Sequence, residues 1–203
     1  WVVGQIPVGT GNSFLRDLNM ETPEEAIQAI VNGNTKRVDL GTLECSDGLF
    51  HFINLLGAGF VSSVAHRANR YKQFGALSYV IGVLQETVGL SPQPVTLTID
   101  GRVIAREMLF VEICNSRYTG GAMMMAPDAR IDDGVLDVVV MSRVPRRKVL
   151  RLFPKIFSGK HVHDDAIEVH RGTSVTVETA RPWLLTPDGE TFGTTPIKVG
   201  ILP

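Results

Sequence analysis

The sequence predicts an α+β fold, in which a mainly antiparallel β-sandwich domain with one or two helices follows a fragment of an α/β domain. Near the start, an apolar run, a glycine turn and a helical pattern follow one another, as in an α/β unit. From Lys36 onward, most apolar segments are short and bounded by turn residues, which is typical of strands. A strong hairpin pattern lies in the middle of the chain. We therefore predict two parts, residues 1–40 and residues 41–203.

The first segment reads as strand, turn and helix. Val2, Val3, Ile6 and Val8 predict a buried strand that is already in progress at Trp1, so we expect the chain to be the remainder of a longer protein. A helix is predicted to start after a threonine cap at position 22, because proline and two acids follow it, and to stop near residues 32–33.

The remainder of the chain is predicted to be mostly strands. Residues 48–55 predict a strand, and residues 61–89 predict a long helical stretch that breaks near Gly75. Val95, Leu97 and Ile99 alternate with polar residues, and the Asp-Gly pair at 100–101 turns the chain back into a strand over residues 103–113. The later strands are predicted at residues 135–141, 166–170, 175–178, 183–186 and 197–201.

The composition is that of a globular protein with balanced charge. The 203 residues are 44% hydrophobic, and 20 Lys and Arg against 21 Asp and Glu give a net charge of −1. This balance argues against nucleic acid as a partner. Cys45 and Cys114 lack a C-x-x-C spacing and favour a reducing compartment. No apolar run approaches the roughly 18 residues of a membrane span, and no signal peptide is visible, so we expect a cytoplasmic protein.

Gly9-Thr10-Gly11-Asn12 lies between the predicted strand and helix. Two glycines let backbone N–H groups approach an anion, and a helix N-terminus adds a positive dipole. The segment is not a dinucleotide fingerprint, because Phe14 stands where the third glycine would be. It is not a Walker loop, because no Gly-Lys-Ser/Thr follows. From the residues alone, a structural turn and a phosphate contact are equally good interpretations.

Two acidic turns are candidate sites. Asp133 precedes a glycine turn, where its carboxylate and loop carbonyls could bind a hard cation, although a turn in which Asp bonds its own backbone is favoured on spacing alone. Asp188-Gly189-Glu190 reads first as a solvated hairpin turn. Its functional interpretation makes Glu190 a general base.

Three further patterns have ordinary explanations that we prefer. His161 and His163 would share one face of a strand and could bind a metal, but a polar loop is favoured. The three methionines at 123–125 indicate core, with an acyl-chain groove as the alternative. The basic residues at 143, 146, 147, 148 and 151 indicate a solvated face, with anionic lipid headgroups as the alternative.

The order of these motifs is more informative than any one of them, and it resembles the diacylglycerol kinase catalytic family, which includes bacterial lipid kinases and the sphingosine kinases. The matching segments are residues 6–14 (IPVGTGNSF), 36–41 (KRVDLG), 126–137 (APDARIDDGVLD) and 188–190 (DGE). The resemblance covers essentially the whole chain. It implies that the α/β fragment belongs to a nucleotide-binding domain, packed on the β-sandwich with catalysis between them.

The resemblance also implies site residues. The segment Gly9-Thr10-Gly11-Asn12 matches one that contacts the nucleotide. We assign Asp188 and Gly189 to ATP binding as well. Asp39 matches an aspartate of the acidic network around the catalytic Mg²⁺, and Glu190 matches the proposed proton acceptor. Asp133 matches the side-chain ligand of a structural magnesium, which the backbone carbonyls of Arg130 and Val135 would complete.

These assignments imply an ATP-dependent lipid kinase that transfers the γ-phosphate to a lipid hydroxyl, with Mg²⁺ bridging the phosphates and Glu190 taking the proton. Its partners would be ATP and a lipid alcohol at a membrane surface, which requires peripheral membrane association. A homodimer is left open.

The chain departs from the family pattern in three places. The Gly-Gly-Asp-Gly-Thr nucleotide loop is absent, so we expect this chain alone to be inactive. Ser13 stands where many members have aspartate, which weakens a metal role there. Residues 61–65 (VSSVA) lack the acid that binds the amine in sphingosine kinases, which favours a neutral lipid alcohol. The alternatives are a sphingosine or ceramide kinase, an NAD kinase, and a non-catalytic β-sandwich module that binds lipid.

Overall fold

Antiparallel strands form the framework of the protein, whose computed structural model describes residues 2–9, 11–74 and 77–203. The strands are β1 (Leu40–Cys45), β2 (Gly48–Phe52), β3 (Leu55–Gly59), β4 (Gln93–Ile99), β5 (Arg102–Cys114), β6 (Tyr118–Thr119), β7 (Met123–Met124), β8 (Leu136–Ser142), β9 (Ile167–Gly172), β10 (Ser174–Thr179), β11 (Leu185–Pro187) and β12 (Ile197–Leu202).

The helices are short, and they lie before the first strand or between strands. They are α1 (Ser13–Asp17), α2 (Pro23–Val31), α3 (Phe60–Ala68), α4 (Leu77–Val88) and α5 (Arg146–Leu152), with 3₁₀ segments at Asn69–Phe74, Phe153–Ser158 and Lys160–His163. None of the helices in the described residues is long and apolar enough to cross a membrane.

Ten strands form one sheet, in the order β11-β3-β5-β4-β10-β12-β1-β2, with β8 added to β5 and β9 added to β8. Every pairing between them is antiparallel. The β4–β5 hairpin turns at Asp100 and Gly101, which both have positive φ angles (46° and 84°), as a two-residue hairpin turn requires. The predicted antiparallel β fold is therefore confirmed.

The sheet folds around one apolar core. Leu43 and Phe52 at one end of the strand order, Leu97 in the middle and Val111 on β5 are all fully buried in the same cluster. A second apolar cluster lies where β3, β5, β8 and β9 are covered by helices, and it includes Phe110, Met141, Val149 and Leu152. The sheet thus has a closed core on one face and a helix-covered layer on the other.

The N-terminal part contains no strand among its described residues, so the strand predicted at residues 2–8 is wrong. Val2, Val3 and Val8 are 85%, 77% and 84% exposed. No described strand pairs with this segment, so its backbone lacks the ladder partners that a strand needs. The helix predicted after Thr22 is confirmed as α2, with a complete capping box between Thr22 and Glu25. Asn32 is its C-cap residue.

Two other predicted elements are divided in the structure. The strand expected over residues 48–55 becomes β2 and β3, with a bend at residues 53–54. The helical stretch becomes α3, a 3₁₀ segment and α4, while the predicted break at Gly75 lies outside the described residues. The division at residue 40 stays a prediction.

A close contact between β1 and β2 gives a stability test. Gly41 lies opposite Phe52, and a Cβ atom at position 41 would overlap the Phe52 ring. We expect Gly41→Ala to lower the free energy of unfolding by about 1–3 kcal/mol, because the buried ring has to move. Chemical denaturation measures this. Gly89→Ala is the control, since its nearest neighbour would be 3.9 Å away, and an equal loss in both variants would contradict the explanation.

Candidate functional site

An apolar groove lies between the sheet and its covering helices. Its empty space is about 1050 Å³, including the part that is open to solvent. The floor comes from β3, β5 and β8, and the walls come from α3, α4, α5 and the 3₁₀ segments Phe153–Ser158 and Lys160–His163. The lining residues are mostly apolar: Leu55, Phe60, Val61, Val64, Ala65, Val83, Phe110, Met123, Met125, Met141, Val149, Leu152, Phe153, Ile156 and Ile167.

Two of the three consecutive methionines line this groove. Met123 and Met125 are 5% and 4% exposed, and they belong to the second apolar cluster. The prediction that these methionines belong to the apolar core is therefore correct for both. Both side chains also line a groove, which was part of the alternative interpretation. Flexible thioethers suit a surface that has to fit an apolar chain.

The groove brings together residues that are far apart in sequence. Gly11 and Ser13 line it from the glycine turn and α1, and Asn54 lines it from the bend between β2 and β3. Asp188 and Gly189 line it from the turn after β11. The glycine turn and the acidic turn, both candidate sites from the sequence, thus border the same apolar space.

Asp188 ties its turn to the bend between β2 and β3. Its carboxylate accepts hydrogen bonds from the backbone N–H groups of Ile53 (3.0 Å), Asn54 (2.9 Å) and Leu55 (3.2 Å). The residue as a whole is exposed, but desolvation at its carboxyl raises the pKa of Asp188, and these N–H donors oppose the rise. Asp188 therefore holds the chain next to the groove as well as lining it.

Glu190 lies on the outside of the same turn. Its backbone N–H donates to the Pro187 carbonyl (2.9 Å), while Asp188 and Gly189 have positive φ angles of 47° and 86°. This is the geometry of a tight hairpin turn. Glu190 is exposed, and it follows directly after the two residues that line the groove.

The glycine turn is only partly described, because Thr10 lies outside the described residues. The Asn12 side chain donates to the Gly9 carbonyl (2.7 Å), which closes the turn locally. Ser13 accepts a hydrogen bond from the Gly121 N–H (2.8 Å) and so joins α1 to the segment between β6 and β7. The exposed backbone of Gly9 and Gly11 leaves the turn accessible to a ligand.

Asp39 and the Asp133 turn lie together. Asp39 is 4% exposed, and its carboxylate accepts a hydrogen bond from the Gly134 N–H (2.6 Å). Asp133 accepts from the Val135 N–H (3.2 Å) and forms an ion pair with Arg171. The Asp133 carboxylate thus bonds its own backbone, as expected for a turn.

The charges around this turn are only partly balanced. Asp137 is buried with one carboxylate oxygen lacking a partner, and burial raises its pKa to about 6. Arg171, 3.6 Å from the other carboxylate oxygen, opposes this rise, and Asp133 and Asp128 add to it. An orphaned oxygen among neighbouring acids fits a hard cation. No group of three or more His, Cys, Asp or Glu side chains in the described residues is arranged to hold a metal ion, so the Arg130 and Val135 carbonyls would have to contribute.

His161 and His163 do not form a pair on a strand. They lie on a 3₁₀ segment, where His161 is buried and lines the groove and His163 is exposed. Burial lowers the pKa of His161 to about 4, and its Nε2 lies 3.1 Å from the Met125 carbonyl. The neutral ring therefore donates from Nε2 and leaves its buried Nδ1 without a partner.

Glu112 is the functional candidate that the sequence analysis missed. It is 3% exposed on β5 and lines the groove, and burial raises its pKa to about 8. Its Oε2 atom has no hydrogen-bond partner. The only signal in the sequence is one acid inside an otherwise apolar run, residues 108–114.

Comparisons with known proteins agree with this architecture. Residues 54–203 match the model of the YegS C-terminal NAD kinase beta sandwich-like domain, and residues 1–43 match the diacylglycerol kinase catalytic domain. The chain therefore belongs to the diacylglycerol kinase and YegS-like family of lipid kinases, as its motifs indicate.

The relatives are longer than this chain. A diacylglycerol kinase of Mycobacterium tuberculosis (strain H37Rv) is 36% identical over 87% of this chain and 59% of its own length. A diacylglycerol kinase of Bacillus subtilis is 26% identical over 96% of this chain and 64% of its own length. A crystal structure from Bacillus anthracis str. Sterne, provisionally assigned as a diacylglycerol kinase, superposes with a TM-score of 0.77 at 27% identity, over 97% of this chain and 65% of that one.

The contacts of Asp188 predict a structural effect that separates it from Glu190. Asp188→Ala removes the acceptor of three N–H groups and places alanine at a positive φ angle, so we expect the free energy of unfolding to fall by about 1–3 kcal/mol. Glu190→Ala in the same turn should change it by less than about 0.5 kcal/mol. Chemical denaturation of both variants is the measurement, and equal effects would contradict the assigned contacts.

The pKa of Glu112 predicts how stability depends on pH. Burial raises this pKa from 4.5 to about 8, so ionisation of Glu112 favours the unfolded chain. The contribution of Glu112 to the free energy of unfolding therefore falls as the pH rises from about 4.5 to about 8. Glu112→Gln should therefore have a higher free energy of unfolding than the wild type at pH 8, by about 2 kcal/mol. This difference should disappear near pH 5. Denaturation across this range tests it, and a difference that does not vary with pH would be contrary to it.

Proposed function

We propose that this chain supplies the lipid-binding and proton-accepting part of an ATP-dependent kinase that phosphorylates a neutral lipid alcohol. The observation that carries the proposal is the apolar groove bordered by the Asp188–Glu190 turn, in a member of a lipid kinase family. The groove has the character of an acyl-chain site, because its lining is mostly aliphatic, aromatic and thioether.

The groove would bind and orient the lipid. Each methylene group transferred from water into an apolar site contributes about 0.8 kcal/mol, so a chain of eight or more carbons gains enough to occupy it. With its chains held there, the lipid would present its hydroxyl near Asp188 and Gly189. Holding the acceptor in place is a large part of catalysis in phosphoryl transfer.

Glu190 is the proposed proton acceptor. It is exposed in the turn next to the groove, where a carboxylate can reach a hydroxyl group that projects from the bound lipid. Asp188 would position this turn through its bonds to residues 53–55. The backbone of Gly189, without a side chain, leaves room for ATP beside it.

The remaining predicted residues would serve the nucleotide and the metal. Gly9, Thr10, Gly11 and Asn12 would contact ATP phosphates through backbone N–H groups. Asp133, with the carbonyls of Arg130 and Val135, would hold Mg²⁺. This ion would be the structural magnesium, whereas a separate catalytic Mg²⁺ would neutralise charge on the ATP phosphates. Asp39 would belong to the acidic network around the catalytic Mg²⁺, and it would also keep the Asp133 turn in place through its bond to Gly134.

The lipid would be taken from a membrane surface on the cytoplasmic side. Arg146, Arg147 and Arg151 on α5 are exposed, and Leu150 and Phe157 beside them are 41% and 45% exposed. Basic residues near an anionic bilayer contribute about 1 kcal/mol each. The opposite face of α5 lines the groove, so a membrane bound to this helix would lie close to the lipid site. A homodimer stays a prediction.

A non-catalytic lipid-binding module is the second candidate. Described residues of this chain line the groove, whereas the Gly-Gly-Asp-Gly-Thr loop does not occur in this sequence. Such a module would bind lipid and transfer no phosphate, even in its full reading frame. A sphingoid base is less suitable as a ligand, because α3 lacks an acid over residues 61–65.

Phosphate transfer from radiolabelled ATP to 1,2-dioctanoylglycerol in mixed micelles tests the proposal. We expect transfer by the full reading frame that contains this chain, and none by this chain alone. In the active form, Glu190→Gln should lower kcat by about 10²- to 10⁴-fold and leave both KM values within a few-fold, because it removes the base but keeps the shape.

Glu178→Gln, an exposed acid on β10, is the matched control and should keep the wild-type rate. A Glu190→Gln variant that retains more than half of the wild-type kcat would make Glu190 an ordinary turn residue. Lipid binding without any transfer by the full reading frame would favour the second candidate.

A further inference from the structure

Glu112 is a buried acid with no use in the proposed chemistry. Its side chain lies on the face of β5 that carries Phe110 and Cys114, toward the groove. Its Oε2 atom is buried without a hydrogen-bond partner. Buried polar atoms in proteins are almost always bonded, so an orphaned oxygen that lines a groove is available to bond a ligand there.

The sheet register gives the position of Glu112 in the groove. Thr186 pairs with Gly57, and Gly57 pairs with Glu112, so these three residues form one row across β11, β3 and β5. Asp188 lies two residues beyond Thr186. Glu112 is therefore about 10 Å across the sheet and about 7 Å along it from the Asp188–Glu190 turn, from the usual strand spacing and rise.

This separation exceeds the few bonds between the hydroxyl and an ester carbonyl of an acylated glycerol, so the side chains of Glu112 and Glu190 and their hydrogen bonds to the lipid would span the rest of it. In an acylated glycerol, the ester groups lie a few bonds from the free hydroxyl and ahead of the alkyl chains. A lipid whose hydroxyl reaches the Asp188–Glu190 turn would thus place an ester in the first part of the groove. The Glu112 side chain extends from the sheet floor into that region.

We infer that Glu112 recognises an ester carbonyl of the bound lipid by donating a hydrogen bond from its carboxyl group. This inference rests on the proposed function and narrows it, since it makes the substrate an acylated lipid alcohol rather than an alkyl ether or a simple long-chain alcohol. The step is binding only, and no covalent bond changes.

The surroundings of Glu112 favour a donor role. Burial raises its pKa to about 8, so the carboxyl keeps its proton near neutral pH. The titratable groups that face the groove with it are Tyr79 on α4, His161 on its 3₁₀ segment and Asp188 in the turn after β11, with Cys114 next on the same face of β5. None of these four carries a positive charge at neutral pH, because Asp188 is an acid and burial raises the pKa of Tyr79 and Cys114 and lowers that of His161.

A matched pair of lipids tests the inference directly. 1,2-Dioctanoylglycerol and its diether analogue 1,2-dioctylglycerol share the hydroxyl and the chain length, and only the former has carbonyl groups. Their affinities for this chain are compared at pH 7 by competition with a fluorescent lipid. We expect the wild type to bind the diester at least about fivefold more tightly than the diether.

Three variants assign this preference to the side chain. Glu112→Leu should bind both lipids with nearly equal affinity, and its affinity for the diether should be unchanged or higher. Glu112→Gln, whose amide still donates, should keep the preference within about twofold and remains informative if the leucine variant does not fold. Glu107→Gln, an exposed acid on the same strand, should behave as the wild type.

The possible results separate this inference from the proposed function. Equal binding of the two lipids by the wild type, or an unchanged preference in Glu112→Leu, would overturn the role of Glu112 and leave the groove as a lipid site. Tighter binding of a sphingoid base that is lost in Glu112→Gln would also overturn it, by showing an amine as the partner. Binding of neither glycerolipid would overturn the proposed function itself.

Discussion

The structure depends on one strand that is buried on both of its faces. Every residue of β5 from Met108 to Cys114 is buried. One face completes the closed core of the sandwich, together with Val138 and Leu97 from neighbouring strands. The other face forms the floor of the groove. A strand that is buried on both faces needs apolar residues at consecutive positions. Glu112 is the acid that interrupts this apolar run.

The two faces are packed differently, and that difference creates the site. On the sandwich side, strands from both ends of the sheet fill the space between them. On the helical side, short segments with few turns cover the sheet, and Gly57 on β3 lets α3 approach within van der Waals range of the backbone. Short helices and methionines leave an adaptable apolar space, whereas a second sheet layer would have filled it.

Local rules predicted much of the fold. The β4–β5 hairpin follows from alternation and the Asp-Gly pair, and α2 follows from its Thr-Pro-Glu-Glu start. The strand expected at residues 2–8 failed because apolar residues alone do not supply a pairing partner. The bend between β2 and β3 was missed because it is held by Asp188, more than 130 residues away in sequence.

The candidate site was predictable in its motifs but not in its geometry. The motif order identified the family and the two turns, because those depend on residues close together in sequence. The groove is assembled from residues spread along the chain from Gly11 to Gly189, so no local pattern reveals it. The role of Asp188 as an anchor for residues 53–55, and the orphaned oxygen of Glu112, likewise appear only when distant segments are brought together.

The central claim is that lipid chains occupy the groove with the hydroxyl end at the Asp188–Glu190 turn. The most direct measurement is photocrosslinking with a diacylglycerol that carries a diazirine near the end of one acyl chain, followed by mass spectrometry of the labelled peptides. We predict adducts on groove residues such as Met125, Leu152 and Ile156, which unlabelled dioctanoylglycerol removes by competition. Labelling confined to exposed apolar residues such as Leu84 and Val88, without competition, would contradict the claim.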